Sequence, residues 1–155
     1  LIKEILENSN KYNCKITCPI DVVVSKNLED MGKDKNIKEI DYDEMILDIG
    51  PKTISSIKKI INDSNTVIWN GPAGYFENSN FQNGTKQILE IISQKTKNDK
   101  IFSVAGGGET VAAINKFKEL DSFTFVSTAG GAFIEYLEGK TLPGIKALNQ
   151  NARIK

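Results

Sequence analysis

Apolar and polar positions divide the chain into short elements. Residues 1–12 place Ile2, Ile5 and Leu6 on one helical face before the polar Asn8-Ser9-Asn10. Residues 15–18 read as a strand that Pro19 interrupts, and Asp21-Val22-Val23-Val24-Ser25 is a stronger β-branched run. The polar stretch 26–36 reads as a solvated hairpin loop, with residues 37–40 as the returning strand. Residues 44–49 are apolar and stop at Gly50-Pro51, where a helix starts with Ile54, Ile57, Ile60 and Ile61 on one stripe.

From there the pattern repeats. A strand over 66–69 enters a turn containing Gly71, Pro72 and Gly74, followed by a helix over 85–95 that buries Ile88, Leu89, Ile91 and Ile92. A strand over 100–104 enters Gly106-Gly107-Gly108, and Val111, Ile114 and Phe117 line the next helix. A strand over 122–126 enters the Gly130-Gly131 turn and a short helix over 133–137. The tail from Leu142 reads as a return segment without a core of its own.

Alternation of strand and helix between Met45 and Leu137 predicts an α/β fold, a parallel sheet covered on both faces. Ligands of such sheets lie beyond the carboxyl ends of the strands. Four glycine-containing strand ends are expected on that edge: Gly50, Gly71 with Gly74, Gly106 to Gly108, and Gly130 with Gly131. At the triple glycine, bare backbone joins the free N–H groups and positive dipole end of a new helix, an arrangement suited to phosphate. A single junction of this kind is equally well a simple tight turn, and it is the recurrence at four joints that favours a phosphate or nucleotide site.

Composition narrows the class. With 155 residues the chain is long enough for one domain with a buried core. Twenty basic and twenty acidic residues leave a formal net charge of zero, giving no reason to expect a nucleic-acid or membrane surface. No apolar run approaches the roughly 20 residues of a spanning helix. Cys14 and Cys18 are expected to be buried thiols in a reducing compartment, since a chain without histidine or a second cysteine pair does not suit structural zinc. The start at Leu1, inside an amphipathic pattern, suggests a piece of something longer.

Taken together, Leu47-Asp48-Ile49-Gly50-Pro51-Lys52-Thr53, Trp69-Asn70-Gly71-Pro72-Ala73-Gly74-Tyr75-Phe76-Glu77, Gly106-Gly107-Gly108-Glu109-Thr110 and Ser127-Thr128-Ala129-Gly130-Gly131-Ala132 resemble, in order, signature segments of the phosphoglycerate kinase family. Residues 137–144 resemble its closing segment. The resemblance implies that residues 1–155 belong to a carboxyl-terminal nucleotide-binding domain. It would be a Rossmann-like, three-layer parallel sheet with helices on both faces, incomplete at its amino-terminal edge. It further implies phosphoryl transfer between 1,3-bisphosphoglycerate and ADP with Mg2+ in glycolysis, by a cytoplasmic and monomeric whole enzyme. 3-Phosphoglycerate would be held by an amino-terminal domain that this chain lacks, so the chain alone would be inactive.

By the same resemblance, Leu47, Pro72 and the Tyr75 region would wall the adenine, Glu77 would accept the ribose hydroxyls and Asn70 would lie near the phosphates. Gly107, Gly108, Glu109 and Thr110 would hold the phosphate chain and, through Glu109, the metal. Amides at Gly108 and Gly131 would face the group in transfer. Glu109 replaces the family's usual Asp, and Ala129 replaces a glycine. Read from the residues alone, a solvated carboxylate at Glu77 and a first-turn acid favoured by the helix dipole at Glu109 are the lesser alternatives, Lys52 is just as readily a surface lysine, and Trp69 is expected in the core. A non-catalytic nucleotide- or phosphate-binding α/β module is the alternative to an enzyme.

Overall fold

The computed structural model describes residues 1–152. Its elements run α1 (Ile2–Lys11), β1 (Asp21–Ser25), β2 (Lys33–Asn36), β3 (Met45–Ile49), α2 (Pro51–Asn62), β4 (Thr66–Asn70), α3 (Asn83–Lys97), β5 (Phe102–Gly106), α4 (Gly108–Lys116), β6 (Phe125–Ser127), α5 (Gly131–Leu137) and α6 (Pro143–Ala152). The fold is α/β and Rossmann-like: β4, β5 and β6 form a parallel sheet in that order, flanked by helices. A parallel strand cannot be reached by a hairpin, so α3 and α4 serve as the two crossovers.

One face of this sheet carries the main core. Trp69 and Ala105 pack there with Ile88, Leu89 and Ile92 of α3 and with Ala113 and Ile114 of α4. Trp69 stacks on Phe123 with ring centroids 6.0 Å apart, a contact that adds about 0.5–1.5 kcal/mol beyond area burial. On the opposite face α5 covers Gly106 with the ring of Phe133. Elsewhere that face is apolar and open, with Ile68, Phe102 and Phe125 exposed by 52%, 52% and 56%.

The amino-terminal part differs from the expectation. Residues 15–18 form no strand, and Cys14 and Cys18 are exposed, because the segment between α1 and β1 lies on the surface instead of entering a core. The strand partnering β1 is Lys33–Asn36, not residues 37–40, which turn instead. Met45–Ile49 does not join the parallel sheet. It pairs antiparallel with β1, with an irregularity between Val23 and Val24, and the second sheet has the order β2-β1-β3. The polar β2 is held by its ladder, aided by Lys35, which pairs with Asp41 at 2.8 Å and Glu44 at 2.9 Å.

This small sheet finishes two helices that lack caps of their own. The Asp21 carboxylate on β1 accepts the amides of Lys52 (2.9 Å) and Thr53 (2.7 Å) and the Thr53 hydroxyl (2.6 Å), all in the first turn of α2. On β3 the Asp48 carboxylate accepts the amide of Gly84 (2.8 Å) at the start of α3 and that of Ile49 (2.8 Å). Burial raises the Asp21 carboxyl, but the hydrogen bonds from Thr53 and Lys52 outweigh it and hold the group below the ordinary carboxylate value. At Asp48, 2% exposed, desolvation outweighs the amides and pushes the carboxyl up.

Candidate functional site

The carboxyl ends of the three parallel strands lie level, with Asn70 opposite Gly106 and Gly106 opposite Ser127. The chain leaves this row through Gly71 and Gly107, with φ of +94° and +92°, a conformation that side chains resist. Gly107 also lies so near Asn70 that a Cβ there would sit 2.5 Å from the Asn70 Oδ1. Thr110 is fully buried in the first turn of α4, and its Oγ1 accepts the Gly71 amide at 2.6 Å. Asn70, Gly71, Gly107 and Thr110 therefore form one cluster, made by two neighbouring strand ends and one helix start.

Helix α4 has no side-chain cap. Among the described residues no acceptor takes the amides of Gly107, Gly108, Glu109 or Thr110, so four N–H groups and the helix dipole address the same space. At the next strand end, α5 starts at Gly131. There the amides of Ala132 and Phe133 already bond to the carbonyls of Ala129 and Gly130 at 3.2 Å each, while those of Gly130 and Gly131 have no acceptor among the described residues. Ala129 has no positive φ, so its methyl group is tolerated without strain.

Beside this rim lies an open cleft of about 550 Å³, within the range of small-molecule sites. Its walls include Val22, Leu47, Ile49, Pro72, Ala73 and Tyr75, an apolar lining suited to a flat ring. The loop on its far side is held firmly. The Tyr75 amide donates to the Leu47 carbonyl at 2.8 Å, and the amides of Ala73 and Gly74 donate to Oγ1 of the fully buried Thr85 at 3.0 and 3.3 Å. Cleft and rim adjoin because Gly71 belongs to the rim and Pro72 to the cleft.

Of the residues expected at the site, Leu47 and Pro72 meet in the cleft, and Asn70, Gly107 and Thr110 meet in the rim. Gly108 and Glu109 stand exposed in the first turn of α4, and Gly131 is exposed at the start of α5. Glu77 is exposed midway along the loop and is not among the residues lining the cleft. Trp69 is a core residue. Gly50 leaves the set of glycine ends on the parallel rim, because its joint belongs to the other sheet and packs on the Asp21 carboxyl group. The exposed Lys52 likewise lies at that joint, its amide bound to Asp21. Thr85, Asp48 and Lys116 order the site and were not signalled as such. A threonine opening a helix and a lysine closing one look ordinary until the loop they hold is located.

Among the described residues no group of three or more His, Cys, Asp or Glu side chains is placed to hold a metal ion, and none of the helices is long and apolar enough to cross a membrane. A magnesium ion that keeps most of its shell from water and phosphate oxygens needs only one or two protein carboxylates. The donor set fits that mode, with hard oxygens at Glu109 and Asn70 and unbonded amides beside them for the phosphates.

A model of the family described as phosphoglycerate kinase matches residues 1–140. Phosphoglycerate kinase of Francisella philomiragia is 45% identical over 154 residues, 98% of this chain and 38% of that protein. The corresponding protein of Xanthobacter autotrophicus is 42% identical over 150 residues, 96% of this chain and 38% of its own length. The solved phosphoglycerate kinase of Coxiella burnetii superposes with a TM-score of 0.87 at 38% identity, over 97% of this chain and 38% of that one. That of Pyrococcus horikoshii gives 0.76 at 28% identity, over 96% and 36%. The chain thus spans about two-fifths of the length of the curated relatives it matches.

Proposed function

Because the chain belongs to the phosphoglycerate kinase family, we propose that its cleft and amide rim hold the ATP or ADP of an enzyme that transfers a phosphoryl group between 1,3-bisphosphoglycerate and ADP, giving 3-phosphoglycerate and ATP. Residues 1–155 form part of the carboxyl-terminal nucleotide-binding domain. The observation that carries the reading is the single loop that passes from rim to cleft at Gly71 and Pro72, joining a phosphate-sized row of amides to an apolar slot.

Adenine lies between Leu47, Pro72 and Tyr75, and the ribose hydroxyls donate to Glu77. The phosphates take the amides of Gly107, Gly108 and Thr110, with Asn70 beside them. Glu109, reaching one methylene further than the family's usual Asp, holds the magnesium ion, which when bound neutralises charge on the phosphate oxygens. Phosphoryl transfer asks the protein for positioning and charge stabilisation more than for covalent chemistry. Unbonded amides at Gly108 and Gly131 meet that demand, since they are fixed before the ligand arrives and need no reorganisation as charge builds on the equatorial oxygens. The backbone of a chain without histidine is sufficient for this.

The phosphoglycerate end of the reaction falls to residues outside this chain, so the chain alone binds nucleotide without turnover. The whole enzyme works as a cytoplasmic monomer. Isothermal titration of this chain with Mg-ADP tests the reading. One-site saturable binding that is lost in Gly108→Ala is expected, and absence of saturation up to millimolar ligand would overturn it.

A further inference from the structure

Helix α4 meets the loop between β4 and α3 at both of its ends. At its start Thr110 takes the Gly71 amide. At its last residue, Lys116, the ammonium group donates to the carbonyls of Phe76 (2.5 Å) and Glu77 (3.2 Å). It also stands 5.9 Å from the centre of the Phe76 ring and 5.8 Å from that of Phe117, so its charge faces two aromatic surfaces. A lysine at the carboxyl end of a helix ordinarily answers the dipole or a nearby carboxylate. Lys116 has no carboxylate partner among the described residues, and the carbonyls it binds belong to the neighbouring loop, not to its own last turn.

We infer that Lys116 is a positioning residue for the nucleotide. It fixes the middle of the loop so that Glu77 stands ready for the ribose while Thr110 fixes the near end for the phosphates. The inference rests on the nucleotide reading above and adds to it a division of labour along one helix. Carbonyl binding at residues 76 and 77 sets the backbone from which the Glu77 side chain departs. Nothing else among the described hydrogen bonds holds the Glu77 carbonyl, so loss of the ammonium group releases that carbonyl while Asn78 keeps its bonds to the carbonyls of Tyr75 (3.1 Å) and Leu28 (2.7 Å). The rim, secured through Gly71 and Thr110, does not depend on it.

The test compares Mg-ADP, Mg-2′,3′-dideoxy-ADP and Mg-pyrophosphate on wild type, Lys116→Met, Lys116→Gln and Lys116→Arg by calorimetry, with hydrogen exchange of residues 71–78 followed without ligand. Methionine keeps the apolar stem over the rings, and glutamine serves as a second uncharged variant should methionine fail to fold. Wild type is expected to prefer ADP to the dideoxy form by about tenfold, the scale of a hydrogen bond to a charged group. In the uncharged variants that ratio falls below about twofold, pyrophosphate affinity stays within about twofold, and exchange quickens at residues 76–78. Arginine restores most of the ratio. An unchanged ratio and unchanged exchange in Lys116→Met, with wild type still discriminating, would overturn the inference and leave the nucleotide reading standing. Equal wild-type binding of ADP and its dideoxy form would remove the role of Glu77 and the inference with it. Absence of any saturable Mg-ADP binding to wild type would sink both.

Discussion

Gly107 and Gly108 are adjacent, and replacing each by alanine separates what the backbone requires from what the ligand requires. At Gly107 the backbone lies at φ +92° and ψ +141°, a region that residues with a Cβ occupy at a cost of about 1–3 kcal/mol. The added carbon would also stand 2.5 Å from the Asn70 Oδ1. The amide of Asn70 can rotate aside, at roughly 0.5–1.5 kcal/mol if it leaves its rotamer. Gly107→Ala is therefore expected to destabilise the chain by about 2–4 kcal/mol. At Gly108 a Cβ meets nothing within 4 Å and the residue is already helical, so alanine stabilises by up to about 1 kcal/mol. Urea unfolding followed by circular dichroism, at equal slope, reads both values. The same proteins titrated with Mg-ADP should show that Gly108→Ala, although the more stable, binds worst, because its methyl group occupies open space before the amides. Should Gly107→Ala stay within about 0.5 kcal/mol of wild type, the strained corner argued from these dihedrals does not exist in solution.

Three further outcomes follow from the structure. Glu119 receives the hydroxyl of Ser122, the ammonium of Lys97 at 3.0 Å and the hydroxyl of Ser93 at 2.8 Å, which lower its carboxyl from 4.5 to about 2. A depressed carboxylate stabilises fully above its unfolded value and loses that contribution as pH falls. The advantage of wild type over Glu119→Gln should therefore shrink between about pH 4.5 and pH 2. The full gap corresponds to roughly 3 kcal/mol, and with the side chain 30% exposed, screening reduces it to about 1–2, readable in urea titrations at pH 6 and pH 3. Asp21→Ala removes the acceptor of two helix amides and one hydroxyl and is expected to cost about 2–3 kcal/mol in chemical denaturation at pH 7. Phe81→Ala empties a fully buried site beside Gly32 and should cost about 3–5 kcal/mol, measured the same way.

The stretch from β4 to α4 was legible because its strands and helices bury apolar residues on one face and each strand-to-helix joint carries glycine. Residues 66–69 and 100–104 announce themselves as β-favouring runs, close to the strands at Thr66–Asn70 and Phe102–Gly106, and Ile88, Leu89 and Ile92 as a stripe. The antiparallel sheet was not, since Lys33–Asn36 contains no apolar residue and owes its extended form to pairing with Val22 to Val24. The run at Met45–Ile49 has the composition of a fully buried parallel strand, yet Met45 and Ile46 are exposed. Which partner it takes is decided by β1, a choice that local hydropathy does not encode. At the candidate site the motifs brought Asn70, Gly107 and Thr110 together because adjacent strands end level. The holding bonds from Thr85 and Lys116 span 11 or 12 and 39 or 40 residues and leave no trace in spacing.

The carboxylates that complete α2 and α3 are lodged on strands of the antiparallel sheet. Neither helix can be cut out with its first turn satisfied, and the hairpin cannot be trimmed as though it were a decorative appendage. Shortening the chain between Asp21 and Ile49 would fray two helices at a distance and loosen the ground on which the cleft wall stands. Cooperativity in this molecule thus runs across the boundary between its two sheets, and a minimal version of the domain has to retain both.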